Sequence, residues 1–169
     1  MFDGGNRIPK INLFNETIHY KTILDVFAKY DIPIEVDLLS EDTDYADFWV
    51  VEKILTKYKP RVLIHEINQQ TGEKCVTVQK SDDLIFWDGS NYHGGNVCAF
   101  YCLAKRFDYS MVYCESEGVN CFWIRNDLIK NNLGFNVELV QKLLNPIFLY
   151  KRPKFVYKST DRVWVNINC

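Results

Sequence analysis

Apolar positions along this chain change period several times, and each change marks an element. Residues 15–30 carry Ile23, Phe27 and Tyr30, flanked by Leu24 and Val26, at helical spacing. This predicts a helix that opens at Asn15 as N-cap and ends before Asp31-Ile32-Pro33. Residues 34–39 then read as a short strand that stops in the acidic cluster Glu41-Asp42-Thr43-Asp44. A second helix starts near Asp47, with Phe48, Val51, Leu55 and Tyr58 on one side and Pro60 after its end. Residues 61–67 form a continuous apolar run with a polar C-terminal end, the pattern of a buried parallel strand. Strand, helix and strand with short joints make a βαβ unit, right-handed by default.

Residues 68–92 are polar and irregular, long for a connection, and long connections often carry function or contact a partner. Residues 96–107 are apolar nearly all round and predict a deeply packed helix. Residues 110–114 and 119–124 flank a short turn and predict a β-hairpin at the sheet edge. A last helix is expected over 136–144, stopped at Pro146. The tail segments 155–157 and 163–165 read as short strands or a strap, and residues 1–14, with Gly4, Gly5 and Pro9, as loop. The order is α-β-α-β-loop-α-β-β-α in one domain spanning 1–169, with no internal repeat, low-complexity tract or linker.

Four blocks in this order resemble one family. Residues 31–44, which include Pro33, Asp37, Leu38, Leu39, Ser40, Asp42 and Asp44, are similar to the central segment of FkbM-type S-adenosylmethionine-dependent methyltransferases, and Asp47-Phe48-Trp49-Val50-Val51 continues it. Residues 58–68, 88–95 and 118–128 resemble the blocks that follow in that family. The resemblance covers residues 31–128, leaving 129–169 as a C-terminal helix and strap. It implies a partial class I methyltransferase (Rossmann-like) α/β sheet: parallel strands ending in an antiparallel β-hairpin, with helices packed on the faces. It further implies descent from O-methyltransferases and S-adenosylmethionine as cofactor.

Two departures bear on activity. The glycine-rich cofactor turn of the family would lie upstream of Met1; Asp3-Gly4-Gly5-Asn6 follows no strand and reads as loop. No cofactor-binding residue is therefore assigned. The glycine of the acidic turn is also replaced, the turn reading Asp44-Tyr45-Ala46.

In open α/β sheets ligands sit beyond the C-terminal strand ends. Those ends carry Asp42 and Asp44 on one strand and His65, Glu66 and Asn68 on the next, and neighbouring strands lie ~4.8 Å apart. Asp42, Asp44 and Glu66 are the catalytic candidates, since a carboxylate can act as general base for an acceptor hydroxyl. Asn68, Asp88, Asn91 and Asn120 are the substrate-side candidates, with loop fastening as their structural alternative. Paired carboxylates also suit a divalent metal in principle, but no metal ligand set is assigned. Asp47 is expected to cap its helix and His65 to be a hydrogen-bonded strand-end residue. The Asp42-x-Asp44 pair is similar to the metal-binding pair of nucleotide-sugar glycosyltransferases, a motif too short to outweigh four blocks. His19, His65 and His93 have no nucleophile partner pattern.

Composition narrows the function classes. There are 20 basic and 22 acidic residues, a net charge of −2, which gives no electrostatic grip on nucleic acid. The densest basic stretch, 151–154, is short. No apolar run approaches the ~20 residues of a membrane span and the N-terminus is not a signal peptide, so an intracellular soluble protein is expected. Aromatic residues reach 15%, an aromatic core or a sticky face. The six cysteines form no Cys-x-x-Cys pair and are expected as reduced thiols, with Cys114 and Cys121 opposed across the hairpin. A truncated sheet exposes a strand edge that a protein partner or a second copy would complete. Two functions follow: a partner-dependent methyltransferase acting on a small, sugar-like hydroxyl, or a non-catalytic structural or regulatory subunit.

Overall fold

The computed structural model describes residues 13–72, 74–81, 83, 86–152 and 156–169. The elements are α1 (Ile23–Lys29), β1 (Leu38–Glu41), α2 (Asp47–Leu55), β2 (Val62–Glu66), β3 (Val76–Thr77), α3 (Val97–Arg106), β4 (Tyr109–Cys114), β5 (Asn120–Arg125), α4 (Asn126–Asn131), α5 (Val137–Leu143), α6 (Pro146–Leu149) and β6 (Val165–Asn166). The expected loop over 1–14, with the Asp3-Gly4-Gly5-Asn6 stretch, lies outside the described residues except for its last two positions. The expected strand at 155–157 and the basic stretch 151–154 lie partly outside them.

Four strands form the main sheet in the order β1-β2-β5-β4. β1 and β2 are parallel, Leu38 opposite Val62 and Glu41 opposite His65. The helix α2 joins them as the βαβ reading expects. β5 pairs antiparallel with both β2 and β4, so the main sheet has one parallel and two antiparallel pairings and the fold is mixed α/β. A second, two-stranded sheet pairs β3 with β6 and ties the C-terminal segment to the loop after β2.

Among the described residues the main sheet is covered on one face. Leu63 and His65 of β2 and Cys121 and Trp123 of β5 are buried, and they alternate with half-buried Val62, Ile64, Phe122 and Ile124. The buried set packs against Phe48, Val51 and Leu55 of α2 and Phe100 and Leu103 of α3. This alternation marks a sheet buried on one side. It corrects the expectation that residues 61–67 are buried all round. The uncovered face ends at Leu38 and Tyr113, both more than half exposed.

Other differences have local causes. The first helix opens at Thr22, not Asn15. Glu16 instead receives hydrogen bonds from the Lys29 ammonium and the Tyr30 hydroxyl, and the Phe14 ring lies on Tyr30, so residues 14–16 lie back against the end of α1. The first strand begins at Leu38 and not at 34, although the carbonyls of Ile34, Val36 and Asp37 already accept from Lys59, Arg61 and Val62. Asn96 and Asn136 cap α3 and α5 as N-caps, each accepting from the amide three residues on. Pro146 does not only stop a helix; it occupies the first turn of α6, where its fixed φ suits the helix.

All six cysteines are paired, which corrects the expected free thiols: Cys75–Cys98, Cys102–Cys169 and Cys114–Cys121. The hairpin register places Cys114 opposite Cys121. Cys98 and Cys102 stand one turn apart on α3, so one helix face meets both the segment entering β3 and the one leaving β6. No helix among the described residues is long and apolar enough to cross a membrane.

Candidate functional site

The C-terminal ends of β1 and β2 gather carboxylates. Asp42, Asp47 and Glu66 each offer an oxygen to a group whose members all lie within 4.8 Å of one another. Asp42 follows β1, Asp47 opens α2 and Glu66 closes β2, so the parallel pairing brings together residues 24 positions apart in the chain. Glu41, buried at the end of β1, stands behind them. Among the described residues none of these four, nor Asp44, makes an ion pair with Lys or Arg.

Local hydrogen bonds shape the turn. Asp47 does not cap α2; the N-cap is Ala46, and Asp47 Oδ1 instead accepts from the Thr43 amide at 2.8 Å and hydroxyl at 3.3 Å. The Thr43 hydroxyl also bonds Glu41 Oε1 at 3.0 Å. Asp44 adopts φ 62°, a left-handed conformation that Asp tolerates. The glycine that the family pattern carries next is not needed for φ here: Tyr45 is buried and packs with Val78 and Tyr92. Asp44 itself is exposed and lines a separate groove of about 380 Å³ with Glu16, His19, Trp49 and Phe86.

Crowding of like charges in a dry place disfavours ionisation. Burial, then the charges of Asp47, Asp42 and Asp44, push Glu66 up to about 8. Burial pushes Asp47 up to about 6 against the Thr43 amide bond, which acts the other way. Glu41 is raised well above the ordinary carboxylate range by burial, then by Asp47. Asp42 is raised by burial, then by Asp44. At neutral pH Glu66 therefore favours its protonated form unless a cation compensates the site.

The remaining sequence candidates divide. Asn120 faces Glu66 across the β2/β5 ladder, so it borders the site, and its backbone N–H donates to Glu115 Oε1 at 3.1 Å. Asn68 is taken up by loop fastening: Oδ1 accepts from the Gln70 amide at 3.0 Å and Nδ2 donates to the carbonyls of Asn91 and His93 at 2.7 and 2.9 Å. Asp88 is exposed, away from the cluster; it accepts from the Ser90 amide and pairs with Arg162, and the Ser90 bonds lead in holding it down at about 2. Asn91 is half-buried with its Oδ1 unpartnered. His65 points away from the cluster into the core, stacked on Phe100 with centroids 4.0 Å apart; burial lowers it to about 4, so it is neutral.

Sequence reasoning missed Gln69 and His93. Both are buried and line a cavity of about 180 Å³ together with Glu66, Asn68, Gly118 and Tyr157. Among the described residues Gln69 Oε1 and Nε2, His93 Nε2 and Glu66 Oε2 have no hydrogen-bond partner. Only the burial of loop residues could have flagged them, and periodicity does not report it.

Comparison with protein-family models, with curated proteins and with solved structures found no match to this chain.

Proposed function

We propose that this chain is a methyltransferase-like module that supplies the acceptor side of a site for a small hydroxylated molecule and depends on a partner strand at the free edge of β1. The observation that carries the reading is the carboxylate group at the C-terminal ends of the parallel pair, beside that edge. The four sequence blocks and the placement of a β-hairpin beyond a βαβ unit support the same descent. Carboxylates accept hydroxyl protons, and the cavity beside Glu66 adds an amide and an imidazole that suit a polyhydroxylated ligand.

S-adenosylmethionine does not fit the described residues alone. Its carboxylate calls for backbone or basic donors, and the strand ends present Glu41, Asp42, Asp44, Asp47 and Glu66. Methyl transfer is accordingly not assigned to the isolated chain. Among the described residues β1 pairs on one side only, and Leu38, 56% exposed, lies beside its open edge. An unpaired edge is a template for another strand.

The test combines native mass spectrometry with titration of S-adenosylmethionine. The expected outcome is self-association with slowed hydrogen exchange at 38–41, and no cofactor binding by the monomer. A stable monomer with fast-exchanging β1 amides refutes the partner-dependent reading. An oligomer that binds neither cofactor nor polyol favours the second reading, a structural or regulatory subunit, for which the exposed face at Leu38 and Tyr113 speaks. The three disulfides favour an oxidising compartment over the intracellular location expected from sequence.

A further inference from the structure

We propose that Asp42, Asp47 and Glu66 bind a hard, oxygen-seeking divalent cation beside the cavity that Glu66 lines together with Gln69 and His93. This deepens the reading of the acidic site as the acceptor side, because a cation there would orient an acceptor oxygen.

Three observations support the assignment. The first is geometric. Two oxygens on one ion stand at most twice the metal–oxygen distance apart, ~4.2 Å for Mg²⁺ and ~5 Å for a larger hard cation such as Ca²⁺, and the three carboxylates lie within 4.8 Å of one another. The donors are all oxygen, which selects hard cations over zinc or copper. The second is the lack of compensation: no Lys or Arg pairs with these carboxylates among the described residues. Asp47 is fully buried and its Oδ2 has no partner.

The third observation is independent of the acids. Gln69 and His93, 2% and 6% exposed, line the cavity that Glu66 also lines, and Gln69 Oε1 and Nε2 and His93 Nε2 are unpartnered. Buried polar atoms without partners are costly and call for a ligand or ordered water. The backbone holds these groups in place. The Asn68 amide bonds fix the carbonyls of Asn91 and His93, and the Gly94 amide donates to the Tyr45 carbonyl at 2.8 Å. A Cβ at Gly94 would stand 3.4 Å from Asp47 Oδ2, so the loop bearing His93 lies directly against the acidic group. Cation positions left open by the three carboxylates would be filled by water or by ligand oxygens that Gln69 and His93 can bond.

Electron paramagnetic resonance of the full chain titrated with Mn²⁺ tests this, with Mg²⁺ as competitor. One Mn²⁺ per chain is expected. Asp42→Asn and Glu66→Gln should each weaken binding roughly tenfold or more, and Gln69→Leu should leave the cation affinity within about threefold while changing the hydration of the bound ion. Asp42 is exposed, so Asp42→Asn keeps the fold readable if Glu66→Gln does not. No binding at about 1 mM Mn²⁺, or equal binding by Asp42→Asn, overturns the assignment. The outcome is separable from that of the acceptor-side reading. A chain that binds Mn²⁺ yet neither associates nor binds polyol keeps this inference and loses the other.

Discussion

Removing the Cys102–Cys169 bridge should destabilise the protein more than removing either other disulfide. A cross-link lowers the entropy of the unfolded chain by an amount that grows with the logarithm of the loop it closes. The sequence separations are 67 for Cys102–Cys169, 23 for Cys75–Cys98 and 7 for Cys114–Cys121. At 25 °C these correspond to about 4.4, about 3.4 and about 2.4 kcal/mol. The first bridge also holds the end of the chain to α3, next to β6 and its pairing with β3. Paired substitution is needed, because sulfurs of Cys75, Cys98 and Cys102 all lie within 4.8 Å and a lone thiol there would exchange. Urea unfolding under non-reducing conditions, followed by tryptophan fluorescence, would compare Cys102→Ser/Cys169→Ser with Cys114→Ser/Cys121→Ser. The first pair should lose about 2 kcal/mol more than the second. Equal losses, a reversed order, or free thiols titrated in the native protein would refute the reasoning.

Two further outcomes follow from buried polar groups. Glu66 rises from its ordinary value of 4.5 to about 8 on folding. The unfolded chain therefore ionises first as pH climbs, and stability present below pH 4.5 is lost progressively until about pH 8. In chelator, Glu66→Gln should flatten this decline by a few kcal/mol, with ~4.8 kcal/mol as the upper bound for the rise from 4.5 to about 8 in a group that titrates together with its acidic neighbours; parallel melting profiles from pH 5 to 8.5 for the two proteins would contradict it. Asn96 is fully buried, its Oδ1 accepting from Ala99 at 3.0 Å and Val76 at 3.3 Å while its amide donates to the Thr71 hydroxyl at 2.9 Å and the Lys74 carbonyl. Asn96→Ala removes a helix cap and strands buried groups, so thermal unfolding should show a loss of about 3 kcal/mol, and a loss below about 1 kcal/mol would count against the role.

Period along the chain was enough to find the elements that pack hard. The helices over Asp47–Leu55 and Val97–Arg106 bury Phe48, Val51, Phe100 and Leu103, and such a face must repeat at helical spacing wherever it packs. The hairpin was legible because Gly118, at φ 74°, marks its turn between two β-rich runs. The first helix begins later than its apolar spacing predicts because the polar stretch before it satisfies its groups on distant partners: Glu16 on Lys29 and Tyr30, His19 on the Ser81 carbonyl. The short β3 and β6 were out of reach for a related reason. Two-residue strands have no period, and only their mutual pairing defines them.

The candidate site divides along the same line. Its acidic residues could be read from the sequence because a strand must end somewhere, and Asp42 and Glu66 stand where two apolar runs stop. The parallel register of β1 and β2 decided that they meet, and the turn at Thr43 decided that Asp47 joins them in place of Asp44. Likewise six cysteines were countable, but their partners depended on which segments cross one face of α3. The sequence by itself determined the local elements, since these follow from neighbours within a turn or two. Only the tertiary structure decided which face of the sheet is covered, which carboxylates share a site, and that Gln69 and His93 complete its wall. Those are facts about burial among residues far apart in the chain, and burial exists only once the chain has folded.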